Sequence, residues 1–205
     1  MMKEEIQNYA QKHSIFTIDE LKTDLHLTDE DDCVVQKTLD TLQQEDVLKS
    51  YEQGIYGYKR MGTFIKRRIA PSVSIMLAHV YLKNDAGYVT DGDFALAIGL
   101  TDWCPAVQTI VSNRVQETKS GDGFIVKKPR IAITTTNKDY LQLLDCIENL
   151  KNLPVNSAKC HDILHQEIAK KDKDYLLELA KLHYDKNTVD YISKSIDKEC
   201  YMKID

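Results

Sequence analysis

The order of periodicities in the first sixty residues constrains this chain most: three helix-like stripes, then a strand–turn–strand pattern. In "KEEIQNYAQKH", Ile6, Tyr9 and Ala10 fall on one stripe, as on a short amphipathic helix. "TIDELKTDLHL" opens with Thr17 and carries Glu20 three residues later, a capping box ahead of Leu21 and Leu25. In "TDEDDCVVQKTLDTLQQEDV", Thr28 and a run of acids suit a helix N-terminus, whose dipole favours negative charge. Val35, Leu39 and Leu42 then recur at spacings of four and three, as the buried stripe of a third helix. "VLKSYEQGIYGYKR" follows directly, with Val47-Leu48-Lys49 running out, a turn around Gly54, and Ile55 to Tyr58 running back.

Helix, helix, helix, hairpin is the order of a winged helix-turn-helix, and a generic three-helix cap with a hairpin would read the same way. In the usual docking of such a unit the third helix enters the major groove. Its exposed positions here are Gln36, Lys37, Asp40, Gln43 and Gln44, and Gln and Lys can read base edges. Asp29, Glu30, Asp31 and Asp32 crowd the leading end of that helix, where like charge opposes phosphates. "KRMGTFIKRR" lies just beyond the hairpin and holds Lys59, Arg60, Lys66, Arg67 and Arg68 without an acid. Such a stretch can neutralise phosphates beside the wing or serve as a solvated face. The candidate DNA-binding residues are therefore Gln36, Lys37, Gln43, Lys49, Lys59, Arg60, Lys66, Arg67 and Arg68.

Beyond residue 60 the pattern changes. "PSVSIMLAHVYLKN" reads as a helix with Pro71 in its first turn and Val73, Met76, Leu77 and Val80 as its stripe. A short strand at Tyr88–Thr90, a helix from Asp93 to Ile98 closed by Gly99, and a strand from Val107 to Val111 follow. "GFIVKK" and "RIAITTT" read as two more strands, with "GDG" at Gly121–Gly123 as a hairpin turn. After Asn137 the chain reads as four helices, the first capped by Asn137 and the last by Asn187. The expected class is α+β, with a winged helix-turn-helix at 1–60, a small helix-plus-sheet unit at 61–136, and helices at 137–205 packed on it as a bundle.

Charge tests the nucleic-acid reading. The net charge is −5, and residues 1–60 carry seven Lys/Arg against thirteen Asp/Glu, so the most acidic third is the one with the DNA-binding order. With 42% hydrophobic residues the chain can build a core. No apolar run approaches the roughly 18 residues needed to cross a bilayer, and the polar "MMKEEIQNYAQK" is unlike a secretory signal. Five scattered cysteines (Cys33, Cys104, Cys146, Cys160 and Cys200) suit a reducing cytoplasm better than a disulfide framework.

Little in the chain suggests catalysis. It has no phosphate-cradling glycine loop, no nucleophile elbow and no paired zinc cysteines. In "CHDILH", His161 and His165 lie one turn apart, but no third metal ligand is fixed and they flank a packing stripe of Ile163, Leu164 and Ile168. No His or basic group adjoins Cys104. Tyr175, Tyr184, Tyr191 and Tyr201 fall within amphipathic helices, as core or rim residues rather than a stacking platform. No cofactor is expected.

"GIYGYKR" after this helical pattern, then "DFALAIGLTDWCPAVQTIVSNR" and "GFIVKKPR", resembles the AbiEi-like antitoxins of bacterial type IV toxin–antitoxin systems, in a branch without described function. The likeness rests on Gly54, Ile55 and Tyr56 at the return strand, on Ala95-Leu96 and Gly99-Leu100 at a helix end, and on Pro105 ahead of Val107–Val111. It implies a cytoplasmic, non-catalytic transcriptional regulator whose winged helix binds its own operator DNA. It further implies a C-terminal region that opposes a nucleotidyltransferase toxin encoded nearby, without a need for a stable complex. A second copy of the chain is a further candidate partner. The other reading is a protein–protein interaction module that uses the same scaffold without binding DNA.

Overall fold

A computed structural model describes residues 2–64, 66–155 and 157–202, with the side chains of 157, 158 and 198–202, Cys200 and Tyr201 among them, outside the described set. The chain is mixed α+β and divides into two units, residues 1–83 and 84–205. No described helix is long and apolar enough to cross a membrane.

In the first unit, α1 (Met2–His13) buries Ile6, Tyr9 and Ala10, the stripe read from its period. β1 (Ile15–Thr17) follows at once, too short to show an alternation. α2 (Ile18–Asp24) starts on the expected capping box: Thr17 Oγ1 accepts the Glu20 N–H at 3.1 Å, and Glu20 accepts the Thr17 N–H at 2.9 Å. A 3-10 turn at Asp29–Asp31 leads into α3 (Asp32–Gln44), which buries Val35, Leu39 and Leu42. β2 (Leu48–Glu52) and β3 (Ile55–Tyr58) form an antiparallel hairpin turning at Gly54, whose φ of +82° is the left-handed conformation that glycine adopts cheaply. β1 pairs with β3, so the sheet order is β1-β3-β2.

A β-bulge between Ser50 and Glu52 lays Tyr51 over Gly57. A Cβ on Gly57 would stand 2.7 Å from the Tyr51 ring, while the Tyr51 hydroxyl donates to the Pro71 carbonyl. β4 (Arg60–Met61) and β5 (Arg68–Ile69) form a second, smaller hairpin in the segment read from sequence only as a basic stretch. α4 (Val73–Val80) is capped by Ser72, which accepts the Ile75 N–H, so Pro71 precedes the cap instead of occupying the first turn. α4 packs on β1, and Tyr81 donates to Glu52. These contacts carry the first unit to Lys83 and past the expected boundary at 60.

The second unit holds a four-stranded sheet of order β6-β7-β9-β8, built from Gly87–Val89, Gln108–Ser112, Phe124–Lys127 and Lys119–Gly121. β7 and β9 run parallel, a pairing that local pattern does not reveal. α5 (Asp91–Ala97) packs on β7. "RIAITTT" is not a strand: the Asn113 amide bonds both the N–H and the C=O of Ile133, at 2.9 and 2.8 Å, taking the place of a ladder. The Asn137 side chain likewise turns back, accepting the Thr134 N–H and donating to the Ala132 carbonyl instead of capping the helix after it.

α6 (Lys138–Glu148) packs on β6, α8 (Lys173–His183) and α9 (Lys186–Met202), and α7 (Ser157–Ala169) packs on α9. The sheet and these helices fall in one unit, so no boundary separates them at residue 136. Asp185 accepts the Thr188 N–H at 2.8 Å, the capping role assigned from sequence to Asn187. Beneath α6, the hydroxyls of Tyr88 and Tyr184 each donate to Asp145 at 2.7 Å. Burial pushes the Asp145 carboxyl up, and those two donors pull it part of the way back.

Gly57→Ala is expected to cost about 1–3 kcal/mol by overpacking the Tyr51 ring, read as a lower midpoint of denaturant unfolding. Tyr184→Phe removes one donor from a buried carboxylate and is expected to cost about 1.5–3 kcal/mol at neutral pH. A carboxyl raised in the folded state favours folding while protonated and loses that contribution as pH rises through its folded value. The loss in Tyr184→Phe should therefore shrink on acidification, and a loss that grows on acidification would refute this account of Asp145.

Candidate nucleic-acid interface

α3 is about 20 Å long at 1.5 Å per residue, and its two ends carry opposite charge. At the N-terminal end the four acids are largely engaged. Lys22 Nζ bonds Asp29 and Asp32 at 2.7 Å each. Asp31 accepts the Thr28 N–H at 2.9 Å and its hydroxyl at 3.1 Å, a second capping box. Glu30 has no ion pair among the described residues. The hydrogen bonds to Asp29 and Asp32 hold the Lys22 ammonium above its ordinary value, and Lys22 holds the Asp29 carboxyl below its own.

Cations gather at the other end. Lys59 pairs with Asp46, Lys3 with Glu45 at 2.5 Å, and Arg68 Nη1 reaches the Glu45 carbonyl at 3.4 Å. Positive charge is favourable at a helix C-terminus, where carbonyls are left without intrahelical partners. Lys59 holds the Asp46 carboxyl below the usual carboxylate range. From residue 53 to residue 84 the chain contains no acid and six Lys/Arg.

The nine sequence-derived residues fall into three groups. On α3, Gln36 and Lys37 are exposed and Gln43 is half-buried. The Gln36 amide donates to Asp40 at 2.8 Å and to the Tyr56 hydroxyl at 3.4 Å, bonds it would have to exchange in order to read a base. Lys49 lies on β2 between Leu48 and Ser50, and strand alternation turns it to the sheet face opposite the core-facing Leu48 and Tyr56. There it sits 4.9 Å over the Tyr51 ring, apart from the α3 residues. The third group forms the second hairpin, with Lys59, Arg60 and Arg68 at its base and Lys66 and Arg67 exposed in its connecting loop.

The hairpin read from sequence as the wing is tied down. Its turn is fixed by the Ile18 N–H bonding the Gly54 carbonyl at 2.9 Å, and Glu52 accepts from Tyr81. The more exposed ribbon is β4–β5, where the Gly62 N–H closes on the Arg67 carbonyl at 3.0 Å. Cross-strand pairs share a face, so Arg60 with Ile69 and Met61 with Arg68 occupy opposite faces. Arg60 accordingly reaches Ser14 Oγ at 2.5 Å while Arg68 reaches Glu45. Phe64 stands in the loop with 97% of its surface exposed, a residue missed in the sequence because one aromatic among cations has no periodicity.

Elsewhere, His161 stacks on Tyr191 with ring centroids 5.6 Å apart, beside a cavity of 580 Å3 that His165, Asp190, Lys194 and Ser195 also line. Among the described residues no group of three or more His, Cys, Asp or Glu could hold a metal ion. Burial pushes the Cys146 thiol up to about 12, away from reactivity.

No protein-family model and no curated protein matches the chain. The fold is similar to that in the crystal structure of the RV2827C protein from Mycobacterium tuberculosis, with a TM-score of 0.57 and 12% identity, over 95% of this chain and 75% of that one. At that identity the likeness is one of fold.

Lys22→Ala should release Asp29, whose carboxyl titration followed by NMR is expected to move up toward the ordinary carboxylate range. An unmoved Asp29 titration would show that Lys22 does not neutralise this end of α3.

Proposed function

We propose that the chain is a non-catalytic, DNA-binding regulator of the antitoxin type, whose first unit is a winged helix-turn-helix that binds operator DNA. The observation that carries this reading is the cationic end of α3: Lys59 and Arg68 are moored there, and the ribbon beyond them leaves Lys66 and Arg67 in solvent. The order α1-β1-α2-α3-β2-β3 with sheet order β1-β3-β2 is consistent with that architecture. Lys22 lessens the objection from acidic charge, since it pairs with two of the four carboxylates at the leading end of α3. The exposed Lys37 and the Gln36 amide are the base-reading candidates, with the ribbon cations on phosphates. By the resemblance in its sequence, the second unit would oppose a nucleotidyltransferase toxin encoded nearby in the same cytoplasm.

A second reading, a protein-interaction module on this scaffold, draws on Trp103 in the second unit. Trp103 is 48% exposed and packs where a Gly92 side chain would lie, one turn from the exposed Leu96.

In a gel shift with the DNA upstream of its coding sequence, the wild type is expected to bind. A Gln36→Ala/Lys37→Ala variant should bind that DNA about tenfold or more weakly, with little change on unrelated DNA. Equal weakening on both would remove α3 from base reading, and a wild type that binds neither would favour the interaction module. Co-expression with the adjacent reading frame is expected to rescue growth, and no rescue would remove the antitoxin role.

A further inference from the structure

We infer that the β4–β5 hairpin is a minor-groove arm, with Phe64 as an apolar wedge that enters between base pairs while Lys66 and Arg67 hold the flanking phosphates. This rests on the DNA-binding reading of the first unit and adds a second point of contact, with a different chemistry, to that of α3.

Three observations carry it. First, Phe64 is 97% exposed, and Met61, Ile69 and Ile75 are exposed at 65%, 46% and 54%, so both the ribbon and α4 present apolar side chains to solvent. Isolated apolar residues on a surface are ordinary, but an aromatic ring left almost wholly in solvent at the tip of a short ribbon marks a contact site. Second, the surroundings of that ring select its partner. Its neighbours along the sequence are Thr63, Ile65, Lys66 and Arg67, and the acid-free stretch extends from residue 53 to 84. An apolar protein surface gives no use to that charge, whereas a nucleic-acid groove offers stacked bases between two rows of phosphates.

Third, the ribbon has the right build. Its two cross-strand pairs and the Gly62-to-Arg67 closure make a narrow two-stranded ribbon. Its base is fixed to α3 by Lys59 and Arg68, the two cations already committed to Asp46 and Glu45. Lys66 and Arg67 have no such partners among the described residues, and so remain available to phosphates. A lipid surface fits less well, since one ring and two free cations fall short of the large apolar face and several charges that hold a protein on a bilayer. Apolar wedges in the minor groove unstack a base step and kink the duplex, most readily at flexible pyrimidine–purine steps.

The test uses the full chain with fluorescent duplexes tiling the upstream DNA, with 2-aminopurine at pyrimidine–purine steps and donor and acceptor dyes at the ends to report bending. Wild-type protein is expected to raise 2-aminopurine fluorescence at one step and to bring the ends closer. Phe64→Ala should weaken binding about tenfold and abolish both signals, and Phe64→Trp should retain them. Lys66→Ala/Arg67→Ala should lower the slope of log affinity against log salt by about two. Because Phe64 is exposed, its truncation should leave the thermal midpoint unchanged, which separates loss of contact from loss of fold. Wild-type-like bending and affinity in Phe64→Ala, while Gln36→Ala/Lys37→Ala still weakens binding, would overturn the arm and keep the DNA reading. Wild type that binds no duplex would overturn both, and wild type that binds phosphatidylglycerol vesicles instead would assign the ribbon to a membrane.

Discussion

The C-terminal end of α3 is where the first unit fixes its positive charge. Helix geometry leaves the last carbonyls there without intrahelical partners, and the chain places Glu45 and Asp46 at the same point. The resulting negative site draws in Lys3, Lys59 and Arg68 from three separate places in the sequence. Each of these pairs is at least partly exposed and contributes little stability by itself. What they determine is direction: the chain leaving β3 must begin its next ribbon beside α3, and the ribbon's unpaired cations then lie in solvent.

The elements legible in the sequence are those whose cause is local. Ile6, Tyr9 and Ala10 fix the buried face of α1; Thr17 and Glu20 fix the start of α2; Gly54 fixes the turn between β2 and β3. Each of those signals lies within five consecutive residues and competes with nothing nearby. The elements that sequence did not show depend on partners far along the chain. β1 has three residues and is a strand only because β3 lies beside it. β4 and β5 have two residues each, and their pairing places Arg60 and Arg68 on opposite faces. At "RIAITTT", β-branched composition suggested a strand, and the Asn113 side chain took both backbone groups of Ile133 instead.

The candidate site was legible as a list of cations and illegible as a surface. Lys49 and Lys66 carry the same charge, yet one is folded over Tyr51 on the far face of the sheet and the other stands in solvent. Lys59 and Arg68 are structural cations, since their partners are residues of the protein. Gln36 is held by Asp40 and Tyr56, an arrangement that orients its amide at the cost of a competing hydrogen bond. Among the nine, Lys37, Lys66 and Arg67 combine exposure with the absence of an ion pair among the described residues.

Net charge alone would set this protein against nucleic acid, and the charge of the first sixty residues would do so more strongly. At physiological ionic strength, however, exposed charges more than about 8 Å apart are largely screened, so a polyanion responds to local groups rather than to the sum. α3 is longer than twice that distance, and its ends therefore act as separate sites. One end combines four carboxylates with a lysine bound between two of them, and the other opens onto a stretch without a single acid. A duplex laid along this helix would meet its weakest repulsion and its strongest attraction at the same end, the C-terminal one. Contact would accordingly be biased toward that end of α3 and the adjoining ribbon, displaced from the leading end that recognition helices ordinarily present to the groove.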